Sequence, residues 1–147
     1  MPTPFESATL NLKLFELRRE PVLREARAWL MQQFHPQSLE DVVAIFGGER
    51  NASVRMVLGY WDMAASLVTS DAIDGQSFLA AHGEIFATFS KIQPFLAQLR
   101  AASGEAEFCK HIEAVVMSAP EAEAIMKRRR ARLQAWAAAK PVAAPES

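Results

Sequence analysis

The chain has 147 residues, half of them apolar, and a formal net charge of −1. This length fits one domain, and the balanced charge excludes a global field that would draw the protein to nucleic acid or an acidic membrane. Cys109 is the single cysteine, which excludes an intramolecular disulfide. With no secretory pattern at the N-terminus, and no run near the roughly 20 apolar residues that cross a bilayer, we predict a cytoplasmic protein.

The first half of the chain carries helical patterns separated by proline and glycine. The pattern predicts a first helix over residues 7–20 and a second that begins at Pro21, because proline is favoured in a first helical turn. A short third helix should begin after Ser38, which is a good cap, and end at the glycine pair 47–48.

The most apolar stretch predicts the fourth helix, from about residue 51 to residue 70. A turn follows, with Asp74 as a possible cap for a long fifth helical segment that begins near Gln76. Pro94 lies inside that segment, where it removes a backbone hydrogen bond and clashes with the preceding turn. We therefore expect a kink or a break there.

The last third predicts a helix over 105–117, then a capping box at 118–121 and a final helix to about residue 139. Residues 140–147 have nothing to bury and are predicted to form a flexible tail. The sequence thus predicts a single all-α domain over 1–139. We expect an irregular bundle of five to seven helices around the central apolar helix.

Asp62 is the one acid inside the apolar fourth helix. At 100° per residue it shares a narrow polar stripe with Asn51, Arg55, Ser66 and Thr69. One interpretation is a thin solvent-facing strip or a structural hydrogen bond. The other places Asp62 in a cleft, where a buried carboxylate needs a partner, and Arg100 and His82 are the candidates.

His82 lies on the apolar side of its helix. A lone histidine there is usually a core residue with a hydrogen bond, but it can also be a ligand or general base. A speculative binding site would join it to Asp62 and Arg100, with Tyr60 and Trp61 beside them.

No metal or cofactor is predicted. Cys109 and His111 are two residues apart, which places them on opposite sides of a helix, whereas a metal pair on a helix needs a spacing of three or four. We see no helix N-terminus or base that would activate Cys109 as a nucleophile. Gly47 and Gly48 lack the rest of a phosphate-binding loop and are better explained as a helix stop.

The strongest local charge feature is a basic patch on the last helix. Its members are Lys127, Arg128, Arg129, Arg130 and Arg132. Consecutive cations wrap around a helix instead of lining one side, so a solvated helix end, a protein-binding surface and a nucleic-acid or lipid contact remain open. Arg129 lies in the middle of the apolar arc and must extend outward or meet an acid.

Residues from about 60 to 100 carry a resemblance to a known family. The pieces are the Tyr60-Trp61-Asp62 run, the Ala72-Ile73-Asp74 turn with Phe78, and a later helix with Pro94 and Arg100. This pattern resembles a family of small bacterial helical proteins that is a domain of unknown function. The resemblance implies a helical fold, with the acid and the arginine as possible fold features, and it implies no reaction.

Two functions follow as hypotheses. The first is a non-enzymatic protein-interaction or accessory module, because the chain lacks a nucleophile–base set, metal spacing and a phosphate loop. Its partner would be a second copy, as two-fold dimers are the commonest assemblies, or another protein, in preference to nucleic acid or a lipid surface at the basic patch. The alternative is a small-molecule-binding or enzymatic protein with a cleft near Asp62, His82 and Arg100.

Overall fold

The computed structural model describes residues 1–139, and every regular element in that range is helical. Nine α-helices and one 3-10 turn follow one another there. Their bounds are α1 Pro4–Leu17, α2 Pro21–Gln33, α3 Leu39–Phe46, α4 Asn51–Thr69, α5 Gly75–Ala81, α6 Glu84–Ser90, the turn Gln93–Phe95, α7 Leu96–Ser103, α8 Lys110–Met117 and α9 Ala122–Ala139. The all-α class is confirmed. The predicted tail, 140–147, lies outside the described residues.

Several helix starts follow the sequence signals. Pro21 occupies the first turn of α2, and the side chains of Ser38 and Asp74 accept hydrogen bonds from backbone N–H groups at the starts of α3 and α5. Helix α1 begins earlier than predicted, at Pro4. Thr3 and Glu6 form a reciprocal capping box there, which satisfies two N–H groups that the helix itself leaves free.

The long fifth segment divides, so the helix count exceeds the predicted five to seven. Pro94 breaks the segment as expected, inside the 3-10 turn. A second break at His82 and Gly83 separates α5 from α6. His82 is buried there, and its side chain is hydrogen-bonded to that of Asn11 in α1. The local sequence does not reveal this tertiary contact.

The capping box predicted at 118–121 is wrong. The Ser118 hydroxyl donates to the carbonyl of Val115 in the preceding helix, and Glu121 has a positive φ of 58°. Helix α8 likewise begins five residues later than predicted, at Lys110 and not near Glu105.

Helix α4 contacts α2, α3 and α8. Its buried side chains lie on one broad side and include Val54, Val57, Leu58, Trp61, Ala64 and Ala65. Trp61 is 0% exposed, and each large apolar side chain buried in this way contributes about 2 kcal/mol. This packing fixes the positions of the neighbouring polar residues Tyr60 and Asp62.

Candidate functional site

Asp62 is half-buried and caps a neighbouring helix. Its Oδ1 atom accepts hydrogen bonds from the backbone N–H groups of His111 and Ile112, both at 3.1 Å. These residues lie in the first turn of α8, whose N–H groups have no partner within the helix. A carboxylate is also favoured at the positive end of the helix dipole. The acid in the apolar helix therefore serves to join α4 to α8.

Arg100 has partners of its own near the start of α8. Its guanidinium donates to the carbonyl oxygen of Phe108 at 2.8 and 3.0 Å and pairs with Glu113 at 3.1 Å. Within the described residues no hydrogen bond or ion pair joins Arg100 to Asp62. Arg100 was a predicted partner of Asp62, but the partners of Asp62 are backbone N–H groups of α8.

Cys109 precedes α8 in a left-handed conformation, with φ 58°. The sequence predicted no helix N-terminus near this cysteine, and this prediction was wrong because α8 begins at the next residue. The thiol is nevertheless not activated: burial, with a further contribution from Asp62, raises its pKa to about 12. The Asp62 carboxylate takes the N–H groups of α8 that would otherwise favour a thiolate.

Tyr60, Trp61 and His82 form one buried aromatic cluster. The ring centroid of Trp61 lies 5.0 Å from that of Tyr60 and 5.9 Å from that of His82. His82 Nε2 lies 3.1 Å from Oδ1 of Asn11. Burial, with the nearby Arg18 cation, lowers the pKa of His82 to about 4, so the imidazole is neutral at pH 7.

The Tyr60 hydroxyl fixes the end of α1. It donates a 2.5 Å hydrogen bond to the backbone carbonyl of Leu14. Burial raises the pKa of Tyr60 to about 12, so the phenol remains a donor at ordinary pH. The five speculative site residues thus divide into two groups: Tyr60, Trp61 and His82 lie together, and Asp62 and Arg100 lie at the α8 junction.

An open cleft of about 510 Å³ is lined in part by Arg18, whose guanidinium carbon lies 6.0 Å from the centroid of the Trp61 ring. We call it the arginine cleft. Its lining is Phe15, Arg18, Arg19, Arg24, Arg27, Ala28, Met31, Gln32 and Glu84. The four arginines come from the end of α1, the connection to α2 and α2 itself, and the sequence analysis did not select any of them.

One carboxylate balances part of this charge. Glu84, at the start of α6, pairs with Arg27 at 2.5 Å and with Arg18 at 3.4 Å. Arg27 also donates to the backbone carbonyl of Arg18 at 3.0 Å. Within the described residues, Arg19 and Arg24 are exposed and have no ion pair. The cleft therefore holds four cations, of which Arg18 and Arg27 are held by Glu84, and a single acid.

The basic patch of α9 does not act as one surface. Arg129 is half-buried and points a guanidinium N–H toward the carbonyl of Gly83 at 3.5 Å. Arg130 is half-buried, Arg132 stacks over the exposed ring of Trp136 at 5.5 Å, and Lys127 and Arg128 are exposed. Arg129 extends past the apolar arc to reach a backbone acceptor on the loop beside Glu84.

The ammonium group of a buried lysine lies at the end of α2. Lys91 is 3% exposed, and its ammonium donates to the carbonyl of Phe34 at the end of α2 at 2.6 Å. Burial, with the nearby Arg130 cation, lowers the pKa of Lys91 to about 8. Burial and Lys91 also lower the pKa of His35. This lysine closes α2, because a cation is favoured at a helix C-terminus.

Helix α1 carries a second apolar stripe that faces outward. Its members follow one another at steps of three, four and three residues and are Phe5, Ala8, Leu12 and Phe15, all exposed. Leu12 is 69% exposed and Phe5 is 80% exposed. The inward side carries buried Ser7 and Leu14. We call the outward set the α1 stripe.

In the described range, no group of three or more His, Cys, Asp or Glu side chains is arranged to hold a metal ion. Among residues 1–139, no helix combines the length and the apolar character needed to cross a membrane.

Comparison with known proteins gives a match to a protein family. A family model described as "Domain of unknown function (DUF4760)" matches residues 4–118. No curated protein and no solved structure matches the chain. The resemblance seen over residues 60–100 is thereby confirmed as one to a family of unknown function, and the match extends from α1 to the end of α8.

Proposed function

The chain belongs to the DUF4760 family, a domain of unknown function, and we propose that it is a non-enzymatic protein-interaction module that docks through the α1 stripe. The observation that carries this proposal is that exposed apolar residues recur along one side of α1 at steps of three, four and three. Single exposed apolar residues are ordinary, whereas a continuous exposed stripe is typical of an interaction surface. We place this function in the cytoplasm, with the helices arranged around α4.

The spacing of the stripe favours a helical partner. Steps of three and four residues give the seam along which two helices interlock their side chains. Helix α1 is already held to the rest of the chain by its inward side, through Leu14, Asn11 and Ser7. Its outward side is therefore presented on a fixed helix, which lowers the entropic cost of docking.

We propose a second copy of this chain as the partner. In an antiparallel pair, Phe5 of one copy faces Phe15 of the other, and Ala8 faces Leu12. The Ala8–Leu12 pair sets a small side chain against a large one, the two phenylalanines pair with each other, and the antiparallel order opposes the two helix dipoles favourably. The residues that flank the stripe place no like-charged pair along the seam; they are Pro4, Thr9, Asn11, Glu16 and Arg18.

The stripe spans three helical turns and is small compared with the roughly 1,600 Å² of a standard interface. We therefore expect a weak dimer with a dissociation constant on the order of 10–100 μM. Sedimentation velocity over a concentration series from below to above this range should show the sedimentation coefficient rising from the monomer to the dimer value.

Leu12→Ser tests the surface directly. This substitution should hold the protein as a monomer over the whole series, because it removes the central apolar contact. Val43→Ser, at another exposed apolar residue, is the matched control and should dimerise like the wild type. A wild-type protein that stays monomeric to about 1 mM, or a Leu12→Ser protein that dimerises normally, would overturn the proposal.

A small-molecule-binding or enzymatic role near Asp62, His82 and Arg100 remains the alternative. Its support is the cluster of Tyr60, Trp61 and His82, in which the Trp61 indole N–H and His82 Nδ1 have no hydrogen-bond partner within the described residues. Against it, Asp62 and Arg100 are both engaged in holding α8. The interaction module is therefore preferred.

A further inference from the structure

We propose that the arginine cleft binds a small organic anion that carries a phosphate monoester. This site goes beyond the α1 stripe, and its support comes from the charge, fixation and size of the cleft.

The first support is the excess of arginines over acids among the residues that line the cleft. Four guanidinium groups line the cleft, and Glu84 is the one acid among the lining residues. Glu84 is already engaged with Arg18 and Arg27, so Arg19 and Arg24 keep their donors for solvent or a ligand. This excess of cations attracts anions, and a phosphate monoester near pH 7 carries close to two negative charges.

The second support is that one wall is held in place before any ligand arrives. Arg27 donates to both oxygens of Glu84 and to the carbonyl of Arg18. The Arg18 guanidinium lies 4.8 Å from the centroid of the Phe15 ring. Fixed guanidinium groups lose little freedom on binding, and their planar forks match the oxygens of phosphate.

The third support is the size and the apolar part of the cleft. Its volume of about 510 Å³ lies within the roughly 300–1,000 Å³ of small-molecule sites. Phe15, Ala28 and Met31 supply apolar surface beside the cations. This combination fits a phosphate attached to an apolar or aromatic body better than it fits inorganic phosphate alone.

Phenyl phosphate is the probe that tests this chemistry. Isothermal titration calorimetry or an NMR titration should show saturable binding to the wild-type chain, weakened by added salt. Phenol should not bind, and inorganic phosphate and benzoate should bind less tightly than phenyl phosphate. Stronger binding of benzoate would overturn the assignment to phosphate.

A charge-matched pair of variants makes the test specific. Arg19→Gln with Arg24→Gln should weaken phenyl phosphate binding by roughly tenfold or more, since hydrogen bonds to charged groups are stronger than those between neutral groups. Arg55→Gln with Arg128→Gln removes the same charge from exposed arginines on α4 and α9 and should change the affinity by less than about twofold. Equal losses in both double variants, or no wild-type binding at about 10 mM probe, would overturn the proposal.

A lipid headgroup offers the same phosphate chemistry. A vesicle-binding experiment distinguishes a lipid phosphate from a small-molecule phosphate. Co-sedimentation with phosphatidylcholine vesicles, with and without phosphatidic acid, should leave the chain in the supernatant. Phosphatidic-acid-dependent pelleting that requires Arg19 and Arg24 would overturn the assignment to a small molecule. Because these variants leave Leu12 unchanged, a failure here is distinct from a failure of the α1 stripe.

Discussion

The α4–α8 junction and the arginine cleft use charge in opposite ways. At the junction, the lone carboxylate of Asp62 meets two N–H groups at a helix N-terminus, and Arg100 meets a carbonyl and Glu113. In the cleft, the one carboxylate pairs with two of the four arginines. The charged groups at the junction thus hold helices together, whereas the guanidinium donors of Arg19 and Arg24 in the cleft have no partner within the described part of the chain.

This contrast shows where binding chemistry should be sought. An isolated acid in an apolar helix is conspicuous in the sequence, but here it has a structural partner. The arginines are less conspicuous because they lie on exposed positions of separate elements. A surplus of one charge after all internal partners have been assigned is the better indicator of a binding site.

The largest expected effect is at Asp62. Asp62→Ala should lower the free energy of unfolding by about 2–3 kcal/mol, because it removes a charged cap and two hydrogen bonds. Asp62→Asn keeps an acceptor and should cost about half as much. Urea denaturation measures both values, and a loss below about 0.5 kcal/mol for Asp62→Ala would place the residue on an ordinary surface.

A slightly smaller effect is expected from His82 as the pH falls. Its folded-state pKa of about 4 lies below its ordinary value of 6.5. Between these values the unfolded chain binds the proton and the folded chain does not. Stability is therefore fully present above pH 6.5 and falls as the pH is lowered toward 4. The loss from His82 at about pH 5 should be on the order of 2 kcal/mol.

Urea denaturation at about pH 7 and pH 5 should show this difference in the wild type, and His82→Gln should remove most of it. His35→Gln is the comparison variant, because the pKa of His35 is also lowered but its side chain is only half-buried. An unchanged pH dependence in His82→Gln would contradict a buried neutral imidazole.

Tyr60→Phe should have a moderate effect. It removes the hydrogen bond to the Leu14 carbonyl, but that carbonyl also accepts the backbone N–H of Arg18. The carbonyl is therefore not stranded, and the expected loss is about 1 kcal/mol. Amide hydrogen exchange should locate the loosening at the end of α1, and uniform exchange across the chain would contradict this local role.

Much of the helical framework could be predicted from local signals. Pro21, Ser38 and Asp74 mark helix starts because proline in a first turn and short polar side chains at a cap act within a few residues. The membership in a family of unknown function was also visible in residues 60–100. The start of α8 was not predicted, because its cap is Asp62, which lies about 50 residues earlier in the chain.

The candidate site was less predictable for a related reason. Four arginines between residues 18 and 27 are visible in the sequence, but their arrangement around Glu84 depends on contacts across 57 and 66 residues. The α1 stripe was missed because α1 is apolar on two sides. Periodicity alone does not tell which side of such a helix faces the core.

The free energy of unfolding of the Arg19→Gln/Arg24→Gln protein, measured by urea denaturation beside Asp62→Ala, tests the contrast most directly. We predict that the arginine variant stays within about 0.5 kcal/mol of the wild type, since both side chains are exposed and unpaired in the described part of the chain. A loss equal to that of Asp62→Ala would contradict the account, because it would mean that the cleft arginines are already committed to the fold.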